Sequence, residues 1–172
     1  MKKFRLGLTC RTSTAATYSE PRNSLAHDWD KFLSQFAESI QWCMIPNSTY
    51  DVEGFLSDWR LDGIILTGGE DLGMNPLRDN LESQIINISV NQKMPILGVC
   101  RGAQVIASYF GATLDSIEGH VAQIHPLYLE EDAADFVTGR QISVNSYHSQ
   151  TIIAAGFPSV LRALGGDADG NI

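Results

Sequence analysis

Residues 95–104, Pro95-Ile96-Leu97-Gly98-Val99-Cys100-Arg101-Gly102-Ala103-Gln104, carry an apolar run of strand type into a helix through a Gly-X-Cys-X-Gly turn. The two glycines lack the Cβ atoms that would clash in so sharp a strand-to-helix turn, and the central side chain is left strained and exposed. This layout is a nucleophile elbow. It predicts a helix over 101–110 with Cys100 at its N-terminus, where backbone N–H groups and the helix dipole favour thiolate over thiol. Cys100 is therefore the predicted catalytic nucleophile. Cys10 follows the first strand and Cys43 sits in a second apolar run, so both are expected in core or strand-end roles.

The pattern around the elbow is that of alternating strands and helices. Residues 4–9 form a predicted first strand, followed by a polar loop. Trp29, Phe32, Leu33, Phe36 and Ile40 recur at helical spacing. Residues 42–45 form a second strand ended by Pro46, and Gly63-Ile64-Ile65-Leu66 is a wholly apolar run of buried parallel type. Leu81, Ile85 and Ile88 mark another helix face, and Gly111 is placed to close the elbow helix. The expected fold is α/β, a three-layer flavodoxin-like sandwich with a mostly parallel central sheet and helices on both faces. Ligands in such sheets gather beyond the carboxyl ends of the strands, where both Cys100 and Thr67-Gly68-Gly69-Glu70-Asp71 fall.

The last third changes character. Residues 125–129, 141–145 and 160–164 form shorter predicted strands, and His120 and His125 flank a loop over 118–126 that could close over a ligand. Asp169-Gly170 is a hairpin signal that calls for a returning strand, yet only two residues follow. The expectation is a single domain over 1–172, incomplete at its C-terminus.

Composition bounds the function. The 172 residues hold 44% hydrophobic and 19% charged side chains, which describes an ordinary globular chain with a real core. A net charge of -8 argues against non-specific nucleic-acid binding and against an anionic membrane surface, though local arginines can still hold an anionic small ligand. Three cysteines, with no Cys-X-X-Cys and no helical pair of histidines, point to a reducing cytoplasm and to no metal or other cofactor. The apolar run near the N-terminus is too short for a signal peptide, and no segment approaches the roughly 20 apolar residues of a membrane span.

A thiolate attacking a carbonyl needs donors for the oxygen that becomes negative. The amides of Gly69 and Arg101 are the expected oxyanion hole, although Gly68-Gly69 also has the composition of a plain turn. Gln104 lies one turn into the helix, where it either points back at the pocket or faces solvent. The polar cluster Asn145-Ser146-Tyr147-His148 would be odd in a core and is assigned to substrate binding, with His148 foremost of the four histidines; His27 has the setting of a cap or surface residue. Arg11 and Arg22 are candidates to pair with phosphate oxygens or to be solvated.

Gly-Val-Cys-Arg-Gly-Ala-Gln, preceded by Leu-Thr-Gly-Gly-Glu-Asp and followed by Val-Asn-Ser-Tyr-His, resembles the class I glutamine amidotransferase-like superfamily, in its γ-glutamyl hydrolase (peptidase C26) branch. Arg11, residues 20–29 and residues 64–72 are similar to those of γ-glutamyl-CDP-amidate hydrolases. The resemblance implies a Cys-His-Glu triad with Cys100 as nucleophile and Gln104 touching the γ-glutamyl group. The family's Trp-His-X-Glu type segment has no match in this sequence, and His148 matches a pocket histidine, so the base is carried over to no residue. The implied activity is cysteine-dependent release of glutamate from a γ-glutamyl amide, its leaving group a CDP-linked amine of capsule or surface-polysaccharide building. Two alternatives stand beside it: a glutaminase subunit feeding ammonia to a synthase partner, and a catalytically impaired binding protein on the same fold. The expected partners are thus a small-molecule substrate and either a synthase or a second copy of the chain. An α/β-hydrolase with a cysteine elbow is a further fold alternative; it would need a triad acid and then a histidine downstream.

Overall fold

A computed structural model describes residues 2–131, 133 and 139–172, in two compact units, Met1–Val105 and Ile106–Ile172. In the first unit the strands β1 (Phe4–Thr9), β4 (Ile40–Ile45), β5 (Gly63–Leu66) and β6 (Ile96–Gly98) form one parallel sheet in the order β4-β1-β5-β6. That is the doubly wound, flavodoxin-like arrangement, whose ligand crevice opens beyond the carboxyl ends of β1 and β5. A short antiparallel pair, β2 (Arg11–Thr14) and β3 (Pro21–Ser24), rises from that edge.

Alternation along the strands sorts the two faces. Leu8 and Ile65 stand opposite each other in register and pack with Leu33 of helix α1 (His27–Ser34), with Leu6, Leu25, Trp29 and Trp42 around them. Each such fully buried Leu or Ile contributes about 1.5–3 kcal/mol. Thr9 points to the other face, where its hydroxyl meets Glu82 of α3 (Pro76–Gln92), a helix that buries Leu81, Ile85 and Ile86. Helices therefore lie on both sides of the sheet, as expected.

The helix ends follow local chemistry. Asn75 caps α3 by accepting the Arg78 N–H at 3.3 Å, ahead of Pro76 in the first turn. Asp51 caps α2 (Val52–Asp58) through the Gly54 N–H at 2.9 Å. The elbow helix, α4 (Arg101–Tyr109), ends in a Schellman turn: Ala112 N–H reaches Ala107 O and Gly111 N–H reaches Ser108 O, with Gly111 at φ 99°.

Several elements differ from expectation. The helix predicted through Ile40 stops at Ser34 and passes through tight turns, because Ile40 is recruited to pair with Phe4 at the start of β4. Phe32 and Phe36 are left half-exposed. The polar loop after β1 contains the β2–β3 pair, whose sequence is too polar to alternate visibly. Helix α2 was not foreseen either.

In the second unit, β8 (Val121–Leu129) pairs with β9 (Gln141–Tyr147) and with the two-residue β11 (Gly165–Gly166). His125 is consequently within a strand rather than at the rim of a loop. Strands β7 (Leu114–Ser116) and β10 (Gln150–Ile152) form a separate pair, beside a core of Ala107, Ala112 and Ile152 with Leu114, Phe157, Leu161 and Ile172. The strand predicted over 160–164 is absent: Leu161 N–H bonds Pro158 O in a turn that drops Leu161 into that core. The Asp-Gly turn is present. Asp167 and Asn171 close it with the backbone bond Asp167 N–H to Asn171 O, and Asn171 returns to pair with Ile153. Among the described residues no helix is long and apolar enough to cross a membrane.

Candidate active site

The elbow is built by close approach. Gly98 ends β6 level with Leu66 of β5, and Val99 N–H donates to Leu66 O at 2.9 Å. Helix α4 then starts so near the strand ends that a Cβ on Gly98 would lie 2.5 Å from Ala103 N, and one on Gly102 would overlap Leu66 O. Between them Cys100 is exposed and left-handed, at φ 53°. Holding a non-glycine residue there costs about 1–2 kcal/mol. The close packing on either side enforces it.

The turn after β5 meets the same sulfur. A Cβ on Gly68 would lie 3.9 Å from Cys100 Sγ, so the Gly-Gly backbone borders the thiol with no side chain between. Gly69 has φ 151° and abuts both the Arg11 Cβ and the Arg78 guanidinium. In α4 the amides of Gly102, Ala103 and Gln104 bond the carbonyls of Val99 and Cys100. The preceding amide, that of Arg101, has no use within the helix.

Beneath these loops lies a charged cluster. Arg78, Glu82 and Arg101 have 0%, 0% and 1% of their side-chain surface exposed. Arg78 donates to Glu82 Oε1 and Glu70 Oε2, each at 3.0 Å, and to the carbonyl oxygens of Thr67 at 2.7 Å and Gly68 at 3.2 Å. Arg101 donates to Glu82 Oε2 and to Asp79 Oδ1. Burial alone would raise the Glu70 carboxyl; its own backbone N–H, Arg78 and the side chain of Asn75 together hold it below the ordinary glutamate value. Only the backbone of Arg101 was picked out from the sequence. The available signal was the placing of Arg78 and Glu82, four residues apart, on the same helical row as Leu81 and Ile85, where charge is costly unless paired.

The other predicted residues divide between the two units. Gln104 is 6% exposed, so the solvent-facing alternative is excluded. Arg11 starts β2 with an exposed side chain beside Gly69. Thr12 next to it is tied down by Asn75 Nδ2 at 2.6 Å and Asn47 Nδ2 at 3.1 Å. Arg22 is engaged by Glu20 at 2.5 Å and by the Tyr18 hydroxyl at 2.8 Å. Asn145, Ser146, Tyr147 and His148 belong to the second unit. Asn145 and Tyr147 are exposed on β9, Ser146 is buried, and His148 Nδ1 lies 2.7 Å from Gln150 O. There His120 gathers His125 and His148, with ring centroids 4.5 and 5.2 Å away, and its Nε2 lies 3.5 Å from Asp167 Oδ2. This grouping of three histidines was not foreseen.

Cys10 is fully buried, and burial pushes its thiol up to about 11 despite the nearby Arg78. It is no rival nucleophile. A groove of about 520 Å³ lined by Arg5, Ile40, Trp42 and Trp59 lies at the amino ends of β1 and β4, the opposite edge of the sheet from the elbow.

Comparison with known proteins places these features. The family model described as Peptidase C26 matches residues 43–172. A γ-glutamyl-CDP-amidate hydrolase of Campylobacter jejuni is 31% identical over 153 residues, which covers 86% of this chain and 71% of that protein. The glutamine-hydrolyzing subunit of a GMP synthase from Methanococcus maripaludis is 33% identical over 89 residues, 52% of this chain and 43% of that one. The crystal structure of a glutamine amidotransferase from Thermotoga maritima superposes with a TM-score of 0.67 at 15% identity, over 99% of this chain and 70% of that one.

Proposed function

The chain belongs to the peptidase C26 family, and from that premise we propose that it is a cysteine-dependent hydrolase that frees glutamate from a γ-glutamyl amide whose leaving amine is linked to CDP. One observation carries the reading: Cys100 stands exposed at φ 53° where β6 meets α4, with the Gly68-Gly69 backbone against its sulfur. A side chain held in that strained conformation is presented to something.

The chemistry follows. Thiolate attack by Cys100 on the γ-carbonyl gives a tetrahedral oxyanion, which the amides of Gly69 and Arg101 stabilise. The C–N bond then breaks, the amine departs with a proton, and water cleaves the γ-glutamyl thioester to restore the thiol and release glutamate. Gln104 contacts the glutamyl portion. Arg11, beside Gly69 at the crevice, faces the phosphates of the leaving group, whereas Arg22 is occupied by Glu20 and Tyr18. Asn145, Ser146, Tyr147 and His148 are the substrate contacts assigned to the second unit. Similarity to the hydrolase of Campylobacter jejuni supports the choice of leaving group. A place in capsule or surface-polysaccharide building, within the cytoplasm, completes this reading.

Similarity to the glutamine-hydrolyzing part of a GMP synthase favours a second reading, a glutaminase that passes ammonia to a synthase. Mass spectrometry after treatment with a glutamine-mimicking chloroketone tests both, since each requires an adduct on Cys100. Glutamate release from γ-glutamyl-CDP-amidates by the protein alone selects the hydrolase. Release from glutamine only in the presence of a synthase selects the glutaminase, and no adduct removes both.

A further inference from the structure

We propose that Glu82 is the positioning residue of the oxyanion hole, a single buried carboxylate that ties the loop bearing the Gly69 amide to the turn bearing the Arg101 amide. The inference rests on Cys100 being the nucleophile of the proposed hydrolase.

Glu82 has no exposed side-chain surface, and its two oxygens serve different halves of the site. Oε1 accepts from Arg78 Nε at 3.0 Å and from the Thr9 hydroxyl at 2.7 Å. Oε2 accepts from Arg101. On the first side, Arg78 carries the constraint onward by gripping the carbonyl oxygens of Thr67 and Gly68. A trans peptide is planar, with its C=O and N–H pointing in opposite directions. Fixing Gly68 C=O on the guanidinium therefore turns the Gly69 N–H away from Arg78, out of the buried cluster. On the second side, the Arg101 side chain is anchored at Glu82 and Asp79, which pins the first residue of α4 and with it the remaining donor.

The arrangement also explains why the loop needs a guanidinium and not simply a turn. Thr67 already bonds Thr9 through its N–H at 3.1 Å and its hydroxyl at 2.8 Å, so the strand ends are joined without Arg78. What Arg78 adds is the orientation of the next two peptide planes. Glu82 in turn holds Arg78 and Arg101 side by side, two cations that would otherwise repel across the buried cluster. A glutamine at this position keeps the shape but loses the charge, and its amide nitrogen can no longer accept from one of the two arginines.

The test compares two reactions of Cys100 in the full chain. Hydrolysis of γ-glutamyl-p-nitroanilide forms an oxyanion; alkylation by iodoacetamide, a displacement at carbon, does not. Glu82→Gln is expected to lower kcat about 100-fold with KM within about twofold, while the alkylation rate stays within about twofold of wild type. Asp79→Asn, which loosens only the half-exposed end of the cluster, is expected to lower kcat about tenfold with the same split, and carries the test if Glu82→Gln does not fold. Amide hydrogen exchange reads the tether without substrate: Gly69 and Arg101 are expected to exchange at least about tenfold faster in either variant. Unchanged kcat and exchange, or a parallel fall in hydrolysis and alkylation, overturns the assignment. A wild-type chain that hydrolyses no γ-glutamyl amide sinks the hydrolase reading instead, and the exchange measurement still judges the tether.

Discussion

Arg11 packs so tightly on Gly69 that a methyl group added to the glycine would come within 2.8 Å of the arginine's Cβ. The start of β2 is thereby seated on the loop that borders the thiol, and the φ of 151° at Gly69 adds a conformational demand to the steric one. Gly69→Ala must displace either Arg11 or Arg78. We expect it to destabilise the fold by about 1–2 kcal/mol. The kcat for γ-glutamyl amide hydrolysis should fall about 100-fold, as for loss of one oxyanion donor. Urea unfolding and steady-state kinetics check the two parts separately.

Cys100 is expected to trade stability for chemistry. Cys100→Gly relieves the left-handed strain and should raise the unfolding free energy by about 1 kcal/mol while abolishing hydrolysis. A denaturation midpoint equal to or below that of the wild type would show that the elbow imposes no strain.

The three thiols should separate by reactivity. Cys100 is exposed, Cys10 is buried with its thiol pushed up to about 11, and burial also raises Cys43. Iodoacetamide at pH 8 is expected to label Cys100 first in the native protein, with Cys10 labelled only after unfolding. Peptide mapping reads the order directly, and early labelling of Cys10 would contradict the fold around β1.

Acid should loosen the second unit through Asp167. Burial works to raise this carboxyl, but hydrogen bonds from the Asn171 side chain and from the backbone N–H groups of Asn171 and Asp169 prevail, and its pKa falls below the ordinary 3.8. A lowered folded value contributes stability above the unfolded pKa and loses it as pH falls through the folded one. Asp167→Asn should therefore melt a few degrees below wild type at pH 7, with the gap closing below about pH 3. A gap independent of pH would assign the effect to the turn's shape and not to its charge.

Local chemistry made much of the first unit legible. Strand β1 was recovered at its full length, 4–9, and β5 at 63–66, because each is an apolar run with turn residues at its end. The Schellman end of α4 was visible in Gly111, whereas the equivalent end of α3 was hidden, since Lys93 adopts the left-handed position without being glycine. The 160–164 run shows the opposite failure: a β-like composition overruled by Leu161 turning into a core.

The order of residues was enough to place a cysteine between a strand and a helix and to name the Gly-Gly loop as its neighbour. Glycine spacing, strand ends and helix starts are set within about ten residues, and short-range sterics leave few alternatives. The buried carboxylate could not be found that way. Thr9, Arg78, Glu82 and Arg101 are brought together from 9 to 101 only when the sheet and α3 close over them, where paired charges are worth their desolvation.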